Sequence, residues 1–329
     1  MYTYLFVTEY LNRDVINELF KKRGNWIEKS DENEKLDCLY TDGKSSYRRR
    51  DLWTIEKYIF NMIDYDKLSI INKNVLYKIL NKEYPKIAKE YMMEQFYIDK
   101  VNPDKYKKLF RNGQVWILKP VEGFRGKGIT VTSNYNTFVN NIRKDDSYVL
   151  AEYINDPLLF KNKKFHIRIY YLYDPVNKKG YLHRYGRIYT AKKEYIQKYY
   201  NNSNIHDSHF GKTDADYFFP HELIKLYPQK IIINIYKQLI QLFHYITLIT
   251  DAKCYPESQY CYQIFGADIM ITKDFKVKLL EINEKIGIAS YDNKLITEYL
   301  VGGILETIVD KILPPKNPQP KNNYFIPLN

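Results

Sequence analysis

Three glycines within six residues, set between two strand-forming runs, limit the fold of this chain more than any other feature. The stretch reads Trp116-Ile-Leu-Lys119-Pro120-Val-Glu-Gly123-Phe-Arg125-Gly126-Lys127-Gly128-Ile-Thr-Val-Thr132. Apolar residues 115–118 lead in and β-branched residues 129–132 lead out, which predicts strand, turn, strand. Glycine tolerates positive φ and brings backbone close to a ligand with no Cβ in the way. Successive amides in such a turn can converge on an oxyanion. Lys119 stands where the first strand ends, and Arg125 and Lys127 lie in the turn, so a polyphosphate is the expected anion. The match to a Walker A loop is poor, because that motif opens a helix with Gly-Lys-Ser/Thr. Here Gly126-Lys127-Gly128 opens a strand. An ordinary hairpin with exposed cations would carry the same residues, and this stretch alone leaves that alternative open.

A second constellation lies towards the C-terminus. Residues 264–271 and 277–283 read as two apolar strands joined by a turn at Lys273-Asp-Phe-Lys276. Glu281 and Asn283 are two apart and leave the same sheet face. The hairpin can bring Asp268 opposite them. Three oxygen ligands without Cys or His suit a hard cation such as Mg²⁺, which keeps its other positions for water and phosphate. A solvent-facing sheet edge could carry the same side chains. Beside a phosphate-binding turn, the pair of constellations supplies both halves of a site for a Mg²⁺-nucleotide.

At 329 residues the chain can bury a full core and divide into two or three domains. Its net charge of +12 favours an acidic partner, whether nucleic acid, anionic lipid or an acidic protein tail. The 34 tyrosines accompany heavy use of Lys, Asn and Ile, so codon bias explains them without base stacking. The three cysteines form no C-x-x-C pair, which predicts no disulfide framework and a reducing compartment. The N-terminus lacks a basic leader and reads as a short strand. Residues 231–250 are apolar but interrupted by Asn234, Lys237, Gln238, Gln241 and His244, which predicts a buried amphipathic helix and no membrane span.

In chain order, 1–84 reads as a small α/β unit, with a helix over 72–82. Arg48-Arg49-Arg50 reads as a solvated face, with contact to an acidic partner as the alternative. Residues 85–151 hold the Gly-rich turn, a short helix over 136–143 and a buried strand from Tyr148. In the unit 152–315, alternation along 163–173 puts Lys164, His166, Arg168 and Tyr170 on one face. Its hairpin partner is 181–189. A last helix over 295–312 repeats Ile296, Leu300, Ile304, Ile308 and Ile312 until Pro314-Pro315 stops it. The Pro- and Asn-rich tail 316–329 is expected to be loose.

Four motifs in order resemble the tubulin–tyrosine ligase family of the ATP-grasp superfamily. They are Lys119-Pro-x4-Arg125-Gly126-x-Gly128, Glu152-Tyr-Ile-x-x-Pro157, Lys164-Phe-x-Ile-Arg168, and Phe-Gly266-x-Asp268 followed by Glu281-Ile-Asn283. The resemblance covers roughly 70–290. It implies an α/β (α+β) ATP-grasp fold of three subdomains, with ATP between the central and C-terminal ones. It implies that Lys119, with Arg125, Gly126 and Gly128 of the turn, meets the ATP phosphates, with Lys73 as a second nucleotide contact. Glu152, Tyr153 and Ile154 would meet the adenine edge through their backbone, and Lys164 and His166 would lie near the nucleoside. Arg168 and Arg184 would hold the γ-phosphate and the reacting carboxylate, and Asp268, Glu281 and Asn283 would hold Mg²⁺. The implied activity is a cytoplasmic, monomeric ligase that joins a free tyrosine, glutamate or glycine to an acidic protein such as a tubulin tail. Nucleic acid and membrane are not expected partners.

The chain also departs from that pattern. His166 stands where the family usually has Asp; a carboxylate accepts two hydrogen bonds from a ribose, and a neutral His accepts one. His206-Asp-Ser208-His209 stands where the family has His-x-Thr-Asn. These departures motivate one alternative, a weakly catalytic nucleotide-binding protein that holds an acidic partner.

Overall fold

The structure, a computed structural model, describes residues 1–8, 11–30, 36–41, 59–61, 69–98, 103–121, 128–143, 146–200, 202–208, 217–252, 254, 260–284, 286–287 and 294–328. Strand β1 (Tyr2–Val7) buries Tyr4, Leu5 and Phe6. Helix α1 (Arg13–Lys22) starts where the Asn12 side chain accepts from the Val15 amide. Ile16 and Phe20, one turn apart, face inward, and Phe20 stacks on Tyr4 with 3.7 Å between ring centroids. Strands β2 (Trp26–Glu28) and β3 (Cys38–Thr41) flank β1 in parallel, and β4 (Ile59–Asn61) extends the sheet from β3. Helix α2 (Lys73–Glu83) matches the expected 72–82 segment. Pro85 then opens α3 (Pro85–Tyr91), where a missing N–H costs nothing.

The expected strand, turn and strand form an antiparallel hairpin. Strands β5 (Gln95–Ile98), β6 (Trp116–Pro120) and β7 (Thr130–Thr132), helix α4 (Tyr135–Asn140) and strand β8 (Tyr148–Glu152) build a four-stranded sheet of order β5-β8-β6-β7. Alternation splits β6. Trp116 and Leu118 pack with Phe138, Tyr148 and Leu150, while Ile117 and Lys119 face the other way, into a cleft.

The cleft's second wall is a larger sheet. Its elements are β9 (Leu159–Phe160), β10 (Lys163–Asp174), β11 (Lys179–Thr190), α5 (Ser203–His206), β12 (Tyr217–Phe219), α6 (His221–Ile224), α7 (Gln229–Ile249), β13 (Cys261–Ile271), β14 (Val277–Asn283), α8 (Lys294–Ile304) and β15 (Phe325–Leu328). The strand order is β12-β11-β10-β13-β4-β3-β1-β2, with β14 on β13, β15 on β11 and β9 on β10. Strand β13 pairs in parallel with β4, so the N-terminal strands and the C-terminal strands share one sheet. The 21-residue α7 covers one face, burying Ile232, Ile235, Leu239, Leu242, Phe243 and Ile246 at helical spacing. Its Gln238 amide donates to the Phe275 carbonyl and accepts from the Val277 amide, which ties the β13–β14 turn to the helix. Among the described residues no helix is long and apolar enough to cross a membrane.

Strand β10 shows how one sequence serves two purposes. Phe165, Ile167, Ile169, Tyr171 and Tyr173 enter the core under α7. The intervening Lys164, His166 and Arg168 sit on the opposite face, as the alternation predicted, and Tyr170 and Leu172 continue that face into a second core beneath α8. Two glycines make room for Arg168. A Cβ on Gly266 would lie 2.7 Å from Arg168 Cδ, and one on Gly186 would lie 2.8 Å from the Arg168 carbonyl oxygen. Gly266→Ala is therefore expected to destabilise the fold by about 1–3 kcal/mol, read as a lower urea midpoint.

Two expectations need correction. The tail does not hang loose. Its β15 pairs antiparallel with β11 between Leu328↔Gly180 and Phe325↔His183, and the Glu306 carboxylate accepts the Asn322 and Asn323 amides. Gly303 admits the Phe325 ring, which a Cβ there would meet at 2.8 Å. Apolar residues at the end of a polar segment anchor it, and the composition of 316–324 hides this. The cysteines are also not all free: Cys254 and Cys261 form a disulfide, with Cα atoms 5.7 Å apart. The chain returns from α7 into β13 at this point, a juxtaposition that spacing alone does not show.

Candidate functional site

The two sheets enclose a cleft of about 420 Å³. Ile117, Val131 and Tyr153 line one side, and Met270 and Leu279 line the other, forming an apolar slot. Lys119, Lys73 and Lys164 also line the cleft, so one apolar slot opens onto three cations. Gly128 has a φ of +76°, and a Cβ there would meet Pro120 at 2.9 Å, so the end of the Gly-rich turn needs glycine. Arg125 and Gly126 lie outside the described residues, as do Arg48-Arg49-Arg50 and His209.

Asp268 and Glu281 are direct partners across β13 and β14, and Asn283 stands opposite Gly266. The Asn283 amide donates to Glu281 Oε1 at 3.1 Å and to Asp268 Oδ2 at 3.4 Å, so the three side chains converge. Lys73 Nζ lies 3.5 Å from Glu281 Oε2, which links the lysine side of the cleft to the carboxylate side. Lys119 senses the same groups. Burial pushes its ammonium below the ordinary lysine value, Glu281 and Asp268 pull it back up, and Lys73 pushes it down further.

Arg168 is buried and gives Asp268 a fork: Nε donates to Oδ1 at 2.5 Å and Nη2 to Oδ2 at 2.8 Å, while Nη1 reaches the Ile286 carbonyl at 3.0 Å. Burial opposes the guanidinium charge, but Asp268 outweighs it and holds the group protonated. His166, 1% exposed, lies beneath the cleft surface. Its Nδ1 is 2.6 Å from Ser208 Oγ, its Nε2 is 3.6 Å from Asp268 Oδ1, and its ring stacks on Tyr189. The side chain expected near the nucleoside thus bridges the 202–208 segment to Asp268.

Lys164 is 4% exposed and donates to the Tyr153 hydroxyl at 2.7 Å; that hydroxyl lies 2.8 Å from His206 Nδ1. Burial, then Lys164, push His206 down to about 4, so it is neutral and its Nδ1 can accept. Burial and then Lys119 push Lys164 down to about 7, against the pull of Asp207. In the unfolded chain Lys164 returns to its ordinary value of 10.5. Between those values the unfolded state holds a proton that the folded state lacks, so stability from this group rises with pH and its cost is greatest at and below pH 7. Lys164→Met should therefore gain stability over the unaltered protein at about pH 7. By about pH 9.5 in urea unfolding, that gain should shrink by up to about 3 kcal/mol.

Of the two expected arginines, Arg184 does not face the cleft. Arg184 is exposed, and its Nε donates to the Asn323 carbonyl on the tail, not into the cleft. The β10–β11 ladder is irregular between Ile169 and Tyr171. Buried Arg187 instead stands directly opposite Arg168. The Glu152 and Tyr153 amides donate to the Glu94 and Val115 carbonyls, so neither of these two N–H groups is available to a ligand. Asp207, which sequence reasoning passed over, lines the cleft beside the lysines. Its carboxylate between two histidine-containing positions was the signal that could have found it.

The donor set fits the groups expected here. A triphosphate needs convergent cations beside an apolar slot for its base, and both are present. Among the described residues no group of three or more His, Cys, Asp or Glu side chains is arranged to hold a metal ion, and the cluster at the expected cation position is two carboxylates and an amide. Those are oxygen donors of the type Mg²⁺ accepts once the Asn283 amide turns its oxygen inward.

A family model described as the tubulin-tyrosine ligase family matches residues 61–319. Over 221 residues the chain is 26% identical to a probable tubulin polyglutamylase, TTLL2, of Homo sapiens, covering 62% of this chain and 35% of that protein. It is 28% identical over 195 residues to a probable tubulin polyglutamylase, ttll-9, of Caenorhabditis elegans, covering 53% and 46%. It is 24% identical over 195 residues to tubulin glycylase 3F of Tetrahymena thermophila, covering 51% and 21%. The chain spans less than half the length of each of these relatives.

Proposed function

This chain belongs to the tubulin-tyrosine ligase family, and from that premise we propose that it is an ATP- and Mg²⁺-dependent ligase that joins an amino acid to a protein acceptor. The observation that carries the reading is the Lys73–Glu281 contact of 3.5 Å, which joins the lysine-lined slot to the Asp268, Glu281 and Asn283 cluster. A triphosphate lying along that line meets cations on one side and metal-binding oxygens on the other.

In this reading an acceptor carboxylate oxygen attacks the γ-phosphorus, the bond to the β-phosphate oxygen breaks, and ADP leaves. The amine of the second substrate then attacks the acyl phosphate carbonyl; phosphate leaves and the nitrogen gives up a proton to solvent. The protein's work is positioning and charge neutralisation. Lys119 and Lys73 hold the phosphates. Arg168 and Arg187, in place of Arg184, face the transferring group and the carboxylate. Asp268, Glu281 and Asn283 would hold Mg²⁺, which neutralises phosphate charge when bound. The apolar slot between Ile117, Val131, Met270 and Leu279 takes the base.

Glutamate or glycine is favoured over tyrosine as the added amino acid, because the relatives named above are polyglutamylases and a glycylase. Those names give no support to a non-catalytic alternative. An acidic acceptor such as a tubulin tail suits the net charge of +12, and its capture should weaken as salt rises. The test is purified protein with Mg-ATP, tubulin and each amino acid in turn. Expected are ADP release and a mass gain of whole amino-acid residues on the acceptor. ATP binding with neither product across glutamate, glycine and tyrosine would reject the ligase reading.

A further inference from the structure

We propose that Ser208, with His166 as its base, takes the γ-phosphoryl group of bound ATP when no other acceptor is present, so that the protein phosphorylates itself within its own cleft. The inference rests on the nucleotide reading above and adds a second acceptor to it.

Three buried side chains stand in line. Ser208 Oγ lies 2.6 Å from His166 Nδ1, and His166 Nε2 lies 3.6 Å from Asp268 Oδ1. A carboxylate only accepts, so the tautomer that suits Asp268 carries its proton on Nε2. Nδ1 is then the acceptor, and the Ser208 hydroxyl donates to it. Hydroxyl, imidazole and carboxylate in this order make a serine nucleophilic, and the arrangement is recognised by geometry, whatever the order of the residues in the chain. His166 and the stretch from His206 to His209 are sequence features that the ligase reading leaves unused, and one hydrogen bond joins them.

The line ends where a phosphoryl group would be handed over. Ser208 lines the cleft. One imidazole separates its oxygen from Asp268, a member of the cluster assigned to Mg²⁺, so the hydroxyl stands at the phosphate end. The other cleft hydroxyl described with a histidine partner, that of Tyr153, already accepts from Lys164 at 2.7 Å and packs with Val115 and Val131 at the apolar end. In the step itself, Ser208 Oγ attacks the γ-phosphorus. The bond from that phosphorus to the β,γ-bridging oxygen breaks, and ADP leaves with the electron pair. The hydroxyl proton passes to His166 Nδ1, and the Asp268 charge favours the imidazolium that forms. The phosphoserine brings a charge of about −1.5 to −2 into a cleft lined by Lys73, Lys119 and Lys164, which hold it.

The experiment incubates the purified full chain with Mg-ATP, without amino acid or protein acceptor, and follows intact mass and the modified peptide by tandem mass spectrometry. Calorimetric titration with ATP runs alongside. Expected is a gain of one phosphoryl group, placed on Ser208. Ser208→Ala should take up none, and Ser208→Thr, which keeps a hydroxyl, should still be modified at that position. His166→Gln can still hydrogen-bond the serine but cannot take its proton, and should slow uptake by about 10²–10⁴-fold. A protein that binds ATP and gains no phosphate overturns the proposal, as does phosphate on any other residue. Equal uptake by the His166 variant overturns it too, since a contaminating kinase would modify both proteins alike. Failure of the unaltered protein to bind ATP overturns the nucleotide reading itself, and this inference with it.

Discussion

Arg168→Met should lower stability by about 3–5 kcal/mol, because it takes a paired guanidinium away from a buried carboxylate. Asp268 is 1% exposed, and the Arg168 fork meets both of its oxygens. The Asn283 amide at 3.4 Å and the His166 ring at 3.6 Å lie farther from that carboxylate than the fork does. Urea unfolding reads the loss. The double variant Arg168→Met with Asp268→Asn should recover much of it, since removing both charges is far cheaper than removing one. ADP release should not recover in the double variant, because both side chains face the proposed transfer site. A double variant as unstable as the single one would show that the cost came from packing around the arginine stem, and the buried pair would lose its assigned weight.

Glu281→Gln should leave the fold within about 0.5 kcal/mol of the unaltered protein, as its side chain is partly exposed and keeps its shape. Turnover should fall by about 10²–10³, the size of loss seen when one charge-stabilising group leaves a preorganised site. The Mg²⁺ concentration needed for half-maximal ADP release should rise in parallel. Turnover equal to that of the unaltered protein would remove Glu281 from the cation set and leave Asp268 and Asn283 too few to hold one.

Both predictions concern residues that are legible in the amino-acid sequence alone. Two-residue alternation along 163–173 put Lys164, His166 and Arg168 on one face because a strand buried on both sides still presents alternate residues to different neighbours. The strand-turn-strand reading of 115–132 succeeded because two strand-forming runs flank the glycines, whereas Asp268 meets Glu281 through a one-residue shift in the β13–β14 register between Asp268 and Ile269. What failed was not set by alternation. Arg184 was placed by its match to the family pattern, but its side chain donates to the Asn323 carbonyl on the tail, and Arg187 is the residue opposite Arg168. Asp207 belongs to a segment placed by tertiary hydrogen bonds to Tyr153 and His166, groups 53 and 42 residues away from the residues they hold. The tail and the disulfide were misread because each depends on where the chain returns. Composition records what a segment contains but not what it comes back to touch.

The parallel seam between β4 and β13 bears on how the protein can be cut. The family-like region begins at residue 61, yet β1, β2 and β3 lie wholly before it, on the far side of that seam. A recombinant fragment trimmed to that region would strip those strands away and leave the β13 margin raw, its backbone groups open to any passing strand. Such a fragment should come out of bacteria as inclusion bodies, whereas a piece starting at the first residue stays soluble.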